Sequence, residues 1–197
     1  MAITMRPDIL TVSGNYFDFL DPERSEFDIE DVAHALSNIC RFAGHPCAFY
    51  SVAQHSVLVS MAVPSEYALA GLLHDAAEAF LGDVARPLKN LLPDYRRLEA
   101  QITPIVLQRF GLPRDLPQAV KEADLLLLAT ESRDLMPPHD DEWALLNNVT
   151  PLAHRIRALP PQWAKQAFLA RFRELAGDEQ EAYQFAELDN RGNKIRM

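Results

Sequence analysis

The sequence predicts an all-α helical bundle with one small β-hairpin at its N-terminus. Apolar residues recur at helical spacing in segment after segment of the 197 residues. Proline and glycine punctuate the chain between those segments. A facing pair of β-prone runs stands at residues 9–20, ILTVSGNYFDFL, where Ser13-Gly14-Asn15 supplies the turn.

The elements follow in order. Asp21-Pro22 ends the hairpin. Asp28 caps a helix over residues 28–40, with Asp31 three residues on and Ile29, Val32, Leu36 and Ile39 on one face. Gly44 and Pro46 break it. A second helix follows Tyr50, reading SVAQHSVLVSMAV, and stops at Pro64. Ser65 is expected to cap a third, central helix that carries the stretch LLHDAAEAFLGDVARPLK, residues 72–89. Gly82 ends its apolar run. Further helices are expected at 95–110, interrupted near Pro104, and at 116–130. Residues 137–162 read as irregular, with a short helical turn around Trp143. Helices at 163–175 and from an Asp178 cap to 186 complete the chain before a loose polar tail. The organisation expected is an N-terminal extension (1–27), a core (28–135) and a C-terminal helical extension (136–197) packed on the same domain.

Composition narrows the function. A hydrophobic content of 48% supports one sizeable core. A formal net charge of −9 argues against a nucleic-acid polymer as partner, because such proteins present a basic face. A nucleotide needs only a few local cations and stays compatible. No signal peptide and no bilayer-length apolar run is read, so the expectation is a cytoplasmic protein without a membrane partner. Cys40 and Cys47 make a weak case for a disulfide, since nothing looks secreted.

Chemistry concentrates in four residues: His55, His74, Asp75 and Asp124. Each lies within or beside an apolar helical run, where an isolated charge is costly unless it is paired or binds a metal. Facing helices bring such positions together in a bundle core. Two imidazoles and two carboxylates suit one divalent ion, and the set does not choose among zinc, cobalt, manganese, magnesium and iron. On a continuous helix, Glu78 stacks one turn beyond His74, and Asp75 stands about 100° round from it. Glu78 is then placed as general base or acid, and Asp83, just past Gly82, as the group nearest a leaving oxygen.

This order resembles the HD-domain metal-dependent phosphohydrolases: a histidine (His55), a His-Asp pair (His74-Asp75) and a distant aspartate (Asp124). The closer similarity is to the HD-domain 5'-deoxynucleotidases. It extends to Arg41-Phe42, His55-Ser56, LLHDAAEAFLGD, Pro87-Leu88-Lys89 and Ala123-Asp124-Leu125. Segments such as IEDVAHALSNICRF and FYSVAQHS also resemble the phage-type HD-domain deoxynucleoside triphosphohydrolases. The resemblance covers roughly residues 28–135.

The resemblance implies an HD-domain bundle that hydrolyses a phosphate ester or anhydride of a nucleotide. Deoxynucleoside monophosphates lead, and deoxynucleoside triphosphates are the alternative. A catalytically silent nucleotide-binding module is the rival from another class. The resemblance assigns water activation to Glu78, leaving-group assistance to Asp83, and phosphate contacts to Arg41 and Lys89. Phe42 stands where the deoxynucleotidases have a tryptophan beside the sugar. Between Ala76 and Ala123 there is no histidine of the kind binuclear relatives use, which points to a single metal. Relatives of this class imply a homo-oligomer.

The remaining candidates have blander readings. His34 reads as a structural histidine near an apolar face, and His45 as a turn residue that contacts substrate or solvent. Arg96, Arg97 and Glu99 read as a charged helix face. Arg86 either joins Lys89 or pairs with Asp83. Trp163 and Phe168 read as core.

Overall fold

The structure, a computed structural model, describes residues 6–138 and 143–189, with side chains as far as residue 177. It is all-α with a small N-terminal hairpin. Strands β1 (Asp8–Leu10) and β2 (Tyr16–Asp18) pair antiparallel, Ile9 opposite Phe17. Gly14, at φ +87°, makes the turn. Ser13 fastens the hairpin to the next element: its amide and hydroxyl both donate to the Asp31 carboxylate at 2.9 Å.

That carboxylate also completes the start of α1 (Ile29–Asn38), where Asp28 and Asp31 form a reciprocal capping box. Helix α2 (Val52–Ala62) begins at Ser51, whose hydroxyl accepts from the Gln54 amide. Helices α3 (Ala68–Leu73), α4 (Glu78–Leu81) and α5 (Arg86–Lys89) are short. Helices α6 (Pro93–Arg109), α7 (Gln118–Leu135) and α8 (Pro161–Asp189) are long.

The main core joins both ends of the chain. Phe17 of β2 stacks on Phe80 of α4 with ring centroids 3.9 Å apart. Leu36, Val52, Leu72, Ile102 and Phe168 fill the same cluster from α1, α2, α3, α6 and α8. A second cluster, with Val59, Ala70, Val120 and Leu127, packs α2 and α3 against α7. Gly71 permits the closest approach: a Cβ there would stand 3.1 Å from Ser60 Cα and from Val63 Cγ2. Two strings of hydrogen bonds tie the late chain down. Gln54 donates to the Arg157 carbonyl and accepts from the Leu159 amide, both at 2.8 Å. Arg171 reaches the Ser60 hydroxyl and carbonyl at 3.1 and 3.2 Å.

The central stretch departs from the single helix expected of it. Helix α3 stops at Leu73, and residues 74–77 form a tight turn. Its bonds run from Ala76 to Leu73 and from Glu78 to Asp75, three residues apart, at 3.0 and 2.9 Å. The cause is local. His74 Nδ1 lies 2.9 Å from the Gly71 carbonyl, the acceptor that a continuing helix would use. His74 and Glu78 are therefore not stacked one α-turn apart. Ser65 also caps no helix; it opens a 3₁₀ turn, Ser65–Tyr67.

Other boundaries shift less. Pro104 sits inside an unbroken α6. Helix α7 continues to Leu135, and a 3₁₀ turn at Ala144–Leu146 follows Trp143. The two expected C-terminal helices form one element with a kink at Gly177, φ +66°. The Asp178 side chain, His139 and residues 190–197 lie outside the described residues. His34 and Trp163 were expected near or within the core and are exposed instead, Trp163 by 57%. Phe168 is fully buried. Cys40 and Cys47 are free thiols. Among the described residues, no helix is long and apolar enough to cross a membrane.

Candidate metal centre

Three elements bring the expected ligands together. His55 is fully buried on α2, His74 follows the last residue of α3, and Asp124 comes from α7. One donor atom from each lies within 4.8 Å of the other two. His55 Nε2 stands 3.3 Å from His74 Nε2 and 3.2 Å from Asp124 Oδ1. Asp75 borders the group: its Oδ2 is 3.2 Å from His74 Nε2 and 3.6 Å from His55 Nε2.

The two imidazoles are held from behind. His74 Nδ1 faces the Gly71 carbonyl, which only accepts, so Nδ1 carries the proton. His55 Nδ1 lies 2.6 Å from Glu131 Oε1. Once a metal displaces the Nε2 proton of His55, both Nε2 lone pairs point into one small space. Anchoring of the distal nitrogen is how metal-ligating histidines are usually oriented. The spacings from His55 to His74, from His55 to Asp124 and from His74 to Asp75 fit as well. A tetrahedral ion with bonds of about 2.0–2.1 Å separates its ligands by roughly 3.3 Å. The residues present therefore suit a divalent metal.

Glu131 is the residue that sequence reasoning missed. It is fully buried and serves three side chains. Oε1 takes His55 and the Tyr50 hydroxyl, the latter at 2.9 Å. Oε2 accepts from Arg41 Nε and Nη2 at 3.2 and 3.0 Å. Arg41 Nη1 lies 3.7 Å from Asp75 Oδ2. A signal existed: Glu131 follows Asp124 by seven residues, two helical turns, and so shares its face on α7.

The charges follow from this packing. Burial and Arg41 oppose a proton on His55, but the Glu131 and Asp124 carboxylates prevail and raise its pKa to about 9. Burial disfavours ionised Glu131, yet Arg41 and His55 hold it below the usual range. Asp75 is likewise held low against burial, by His74, His55 and Arg41. Glu78 moves the other way. Burial, then Asp75 and Asp83, push it well above the ordinary glutamate value. Its Oε2 is buried and makes no hydrogen bond among the described residues. Asp83 is also raised, by burial first, with Arg41, Asp75, His55 and Lys89 within electrostatic reach.

A cavity of about 520 Å³ opens beside His74, Asp75 and Glu78. Lys89 and Arg96 line it too, and so does Glu99, which holds Lys89 Nζ at 2.5 Å. Arg97 is turned outward, paired with Asp94 at 3.3 Å. Arg41 and Phe42 come from the loop between α1 and α2. There Phe42, Ala43 and Gly44 all have positive φ, at 54°, 52° and 84°. Such backbone is strained for residues other than glycine and recurs at functional sites. It sends Arg41 inward, leaves the half-buried Phe42 ring 5.4 Å from the guanidinium, and sets it 6.2 Å from Trp143. His45 is exposed on the same loop.

Fold and site thus define an all-α protein with a buried His/Asp cluster able to hold a metal ion. No protein-family model matches the chain. It is 44% identical over 170 residues to the uncharacterized protein YfdR of Escherichia coli (strain K12), spanning 85% of this chain and 95% of that protein. It is 35% identical over 178 residues to the uncharacterized protein RCAP_rcc00048 of Rhodobacter capsulatus, spanning 81% of this chain and 91% of that protein. The chain belongs to the family of these two proteins.

Proposed function

We propose that the chain is an HD-domain phosphohydrolase that uses one divalent metal ion to hydrolyse nucleotides, foremost deoxynucleoside 5'-monophosphates. One observation carries the reading. Two histidines, each engaged through Nδ1, aim Nε2 at a common point beside Asp124 and Asp75, next to a cavity lined by Glu78, whose buried Oε2 has no hydrogen-bond partner among the described residues. His55, His74, Asp75 and Asp124 would hold the ion.

A metal bound there supplies Lewis acidity at a phosphoryl oxygen and acidifies a water. Glu78 accepts the proton of the attacking water as its oxygen bonds to phosphorus. Burial and the neighbouring Asp75 and Asp83 carboxylates raise the pKa of Glu78, which makes it a stronger proton acceptor. The bond from phosphorus to the ester oxygen breaks, and Asp83 delivers a proton to the departing oxygen, which its own raised pKa favours. Arg41, with two of its nitrogens committed to Glu131, offers Nη1 on the Asp75 side to a phosphate oxygen. Burial around Glu78 keeps bulk water from competing for its proton.

The test is phosphate release from deoxy- and ribonucleoside mono- and triphosphates with cobalt, manganese, zinc or magnesium, products being separated by chromatography. Orthophosphate from monophosphates supports the proposal. Release of triphosphate from a deoxynucleoside triphosphate moves the chain to the alternative activity. No turnover by protein with bound metal overturns both.

A further inference from the structure

The cavity beside the cluster carries a charge pattern that bears on which phosphate it accepts. Its lining holds four carboxylates, Asp75, Glu78, Glu99 and Asp115, and two cations, Lys89 and Arg96. A bound divalent ion would bring that lining close to neutrality. One of the two cations is already committed. Lys89 Nζ lies 2.5 Å from Glu99 Oε1, and both side chains are only about a quarter exposed (23% and 27%). Arg96 stands one helical turn before Glu99 on α6 and forms no ion pair among the described residues. Thr103, one turn beyond, completes the same helix face in the cavity wall.

A monophosphate carries about −1.5 to −2 charges at neutral pH, and a polyphosphate chain carries more. The wall offers a single uncompensated cation to anything that extends past the metal ligands. Glu99 is what limits it: without that carboxylate, Lys89 and Arg96 would face the cavity together.

We propose that Glu99 is a specificity-determining residue, which neutralises Lys89 and so restricts the cavity to a single phosphoryl group. This rests on the phosphohydrolase reading, and it adds the residue that sets the length of the phosphate chain. It revises the direct phosphate contact expected of Lys89. In the resting protein that ammonium belongs to Glu99, and Arg96 is the cation that remains.

The experiment is calorimetric titration of the manganese-loaded full chain with orthophosphate and with tripolyphosphate, for the wild type, Glu99→Gln, Arg96→Gln and Arg97→Gln. The wild type is expected to bind tripolyphosphate no more tightly than orthophosphate. Glu99→Gln, which keeps the shape and removes the charge, should tighten tripolyphosphate relative to orthophosphate by roughly tenfold, the scale of removing one nearby like charge. Arg96→Gln should weaken both anions, and Arg97→Gln, on the outer face, should change neither. A wild type that already prefers tripolyphosphate, or a Glu99→Gln ratio equal to the wild type's, overturns the proposal. If nucleotides are hydrolysed but the ratio does not move, the proposal falls and the phosphohydrolase reading stands. If the ratio shifts as expected and no nucleotide is hydrolysed, the anion selectivity stands and the phosphohydrolase reading falls. Failure of either anion to bind any of the four proteins overturns the proposal as well.

Discussion

Glu131 Oε1 lies 2.6 Å from His55 Nδ1, while Oε2 of the same carboxylate takes two nitrogens of Arg41. A fully buried glutamate thus stands behind both a candidate metal ligand and a buried guanidinium. Removing its charge should act on both. Glu131→Gln is expected to weaken metal binding by roughly 10–100-fold, the usual cost of losing a partner behind a ligand. It should also cost about 3–5 kcal/mol of stability, because Arg41 stays buried with its two hydrogen bonds to the carboxylate lost and only the more distant Asp75 opposite it. Tyr50→Phe removes one hydrogen bond to the same carboxylate and should cost only about 1 kcal/mol. Chelator competition and denaturant unfolding of the three proteins check this. Equal metal affinity for Glu131→Gln and wild type would remove Glu131 from the centre.

Gly71 controls how close α3 comes to α2; His55 lies on α2, and His74 directly follows α3. A methyl group there meets the backbone of Ser60 as well as Val63. Gly71→Ala is expected to lose about 1–3 kcal/mol by overpacking and to weaken metal binding, since the two Nε2 atoms separate. Thermal melts with and without metal read both effects. Unchanged stability would mean that the close approach of α2 and α3 relaxes at no cost.

Ala43 is exposed and sits at φ +52° in the loop that aims Arg41 inward. Left-handed backbone costs an alanine about 1–2 kcal/mol, while glycine ordinarily loses about 0.5–1 kcal/mol through chain entropy. Ala43→Gly should therefore be neutral or stabilising by up to about 1.5 kcal/mol, against the usual direction for this substitution. Urea unfolding decides it, and a clear loss of stability would contradict the strain.

Glu78 has an orphaned oxygen and lies outside the three-residue ligand group. Glu78→Gln is expected to keep metal binding and to lose roughly 10²–10⁴-fold in phosphate release, the range for a positioned proton acceptor. Parallel metal analysis and turnover assays separate the two. Loss of the metal would make Glu78 a ligand instead of a base.

Much of this was legible in the sequence because the signals were local. The Asp28–Asp31 pair marks the start of α1, Ser13-Gly14-Asn15 marks the hairpin turn, and Pro64 stops α2. His55, His74 and Asp124 were visible as polar residues in apolar runs that needed partners. The break at His74 was not, because it arises from a side chain taking a backbone acceptor, and periodicity does not register that. The pairing of Arg41 with Glu131, 90 residues away on α7, has no local signal in the sequence. The ion pair of Lys89 with Glu99 joins α5 to α6 and has no local signal either. Pairings between distant helices depend on which faces meet, and the sequence pattern leaves those faces unassigned. Trp163 shows the converse: its size suggested core, but its place in the first turn of α8 leaves it exposed.

On the proposed function, His55, His74 and Asp124, flanked by Asp75, hold one divalent ion. Elemental analysis of the purified full chain after loading and dialysis tests it most directly, alongside His74→Ala and Asp124→Ala. One metal ion per wild-type chain and close to none in either variant is the expected result, with both variants folded by circular dichroism. A wild-type chain that retains no metal, or variants that retain as much as the wild type, would contradict it.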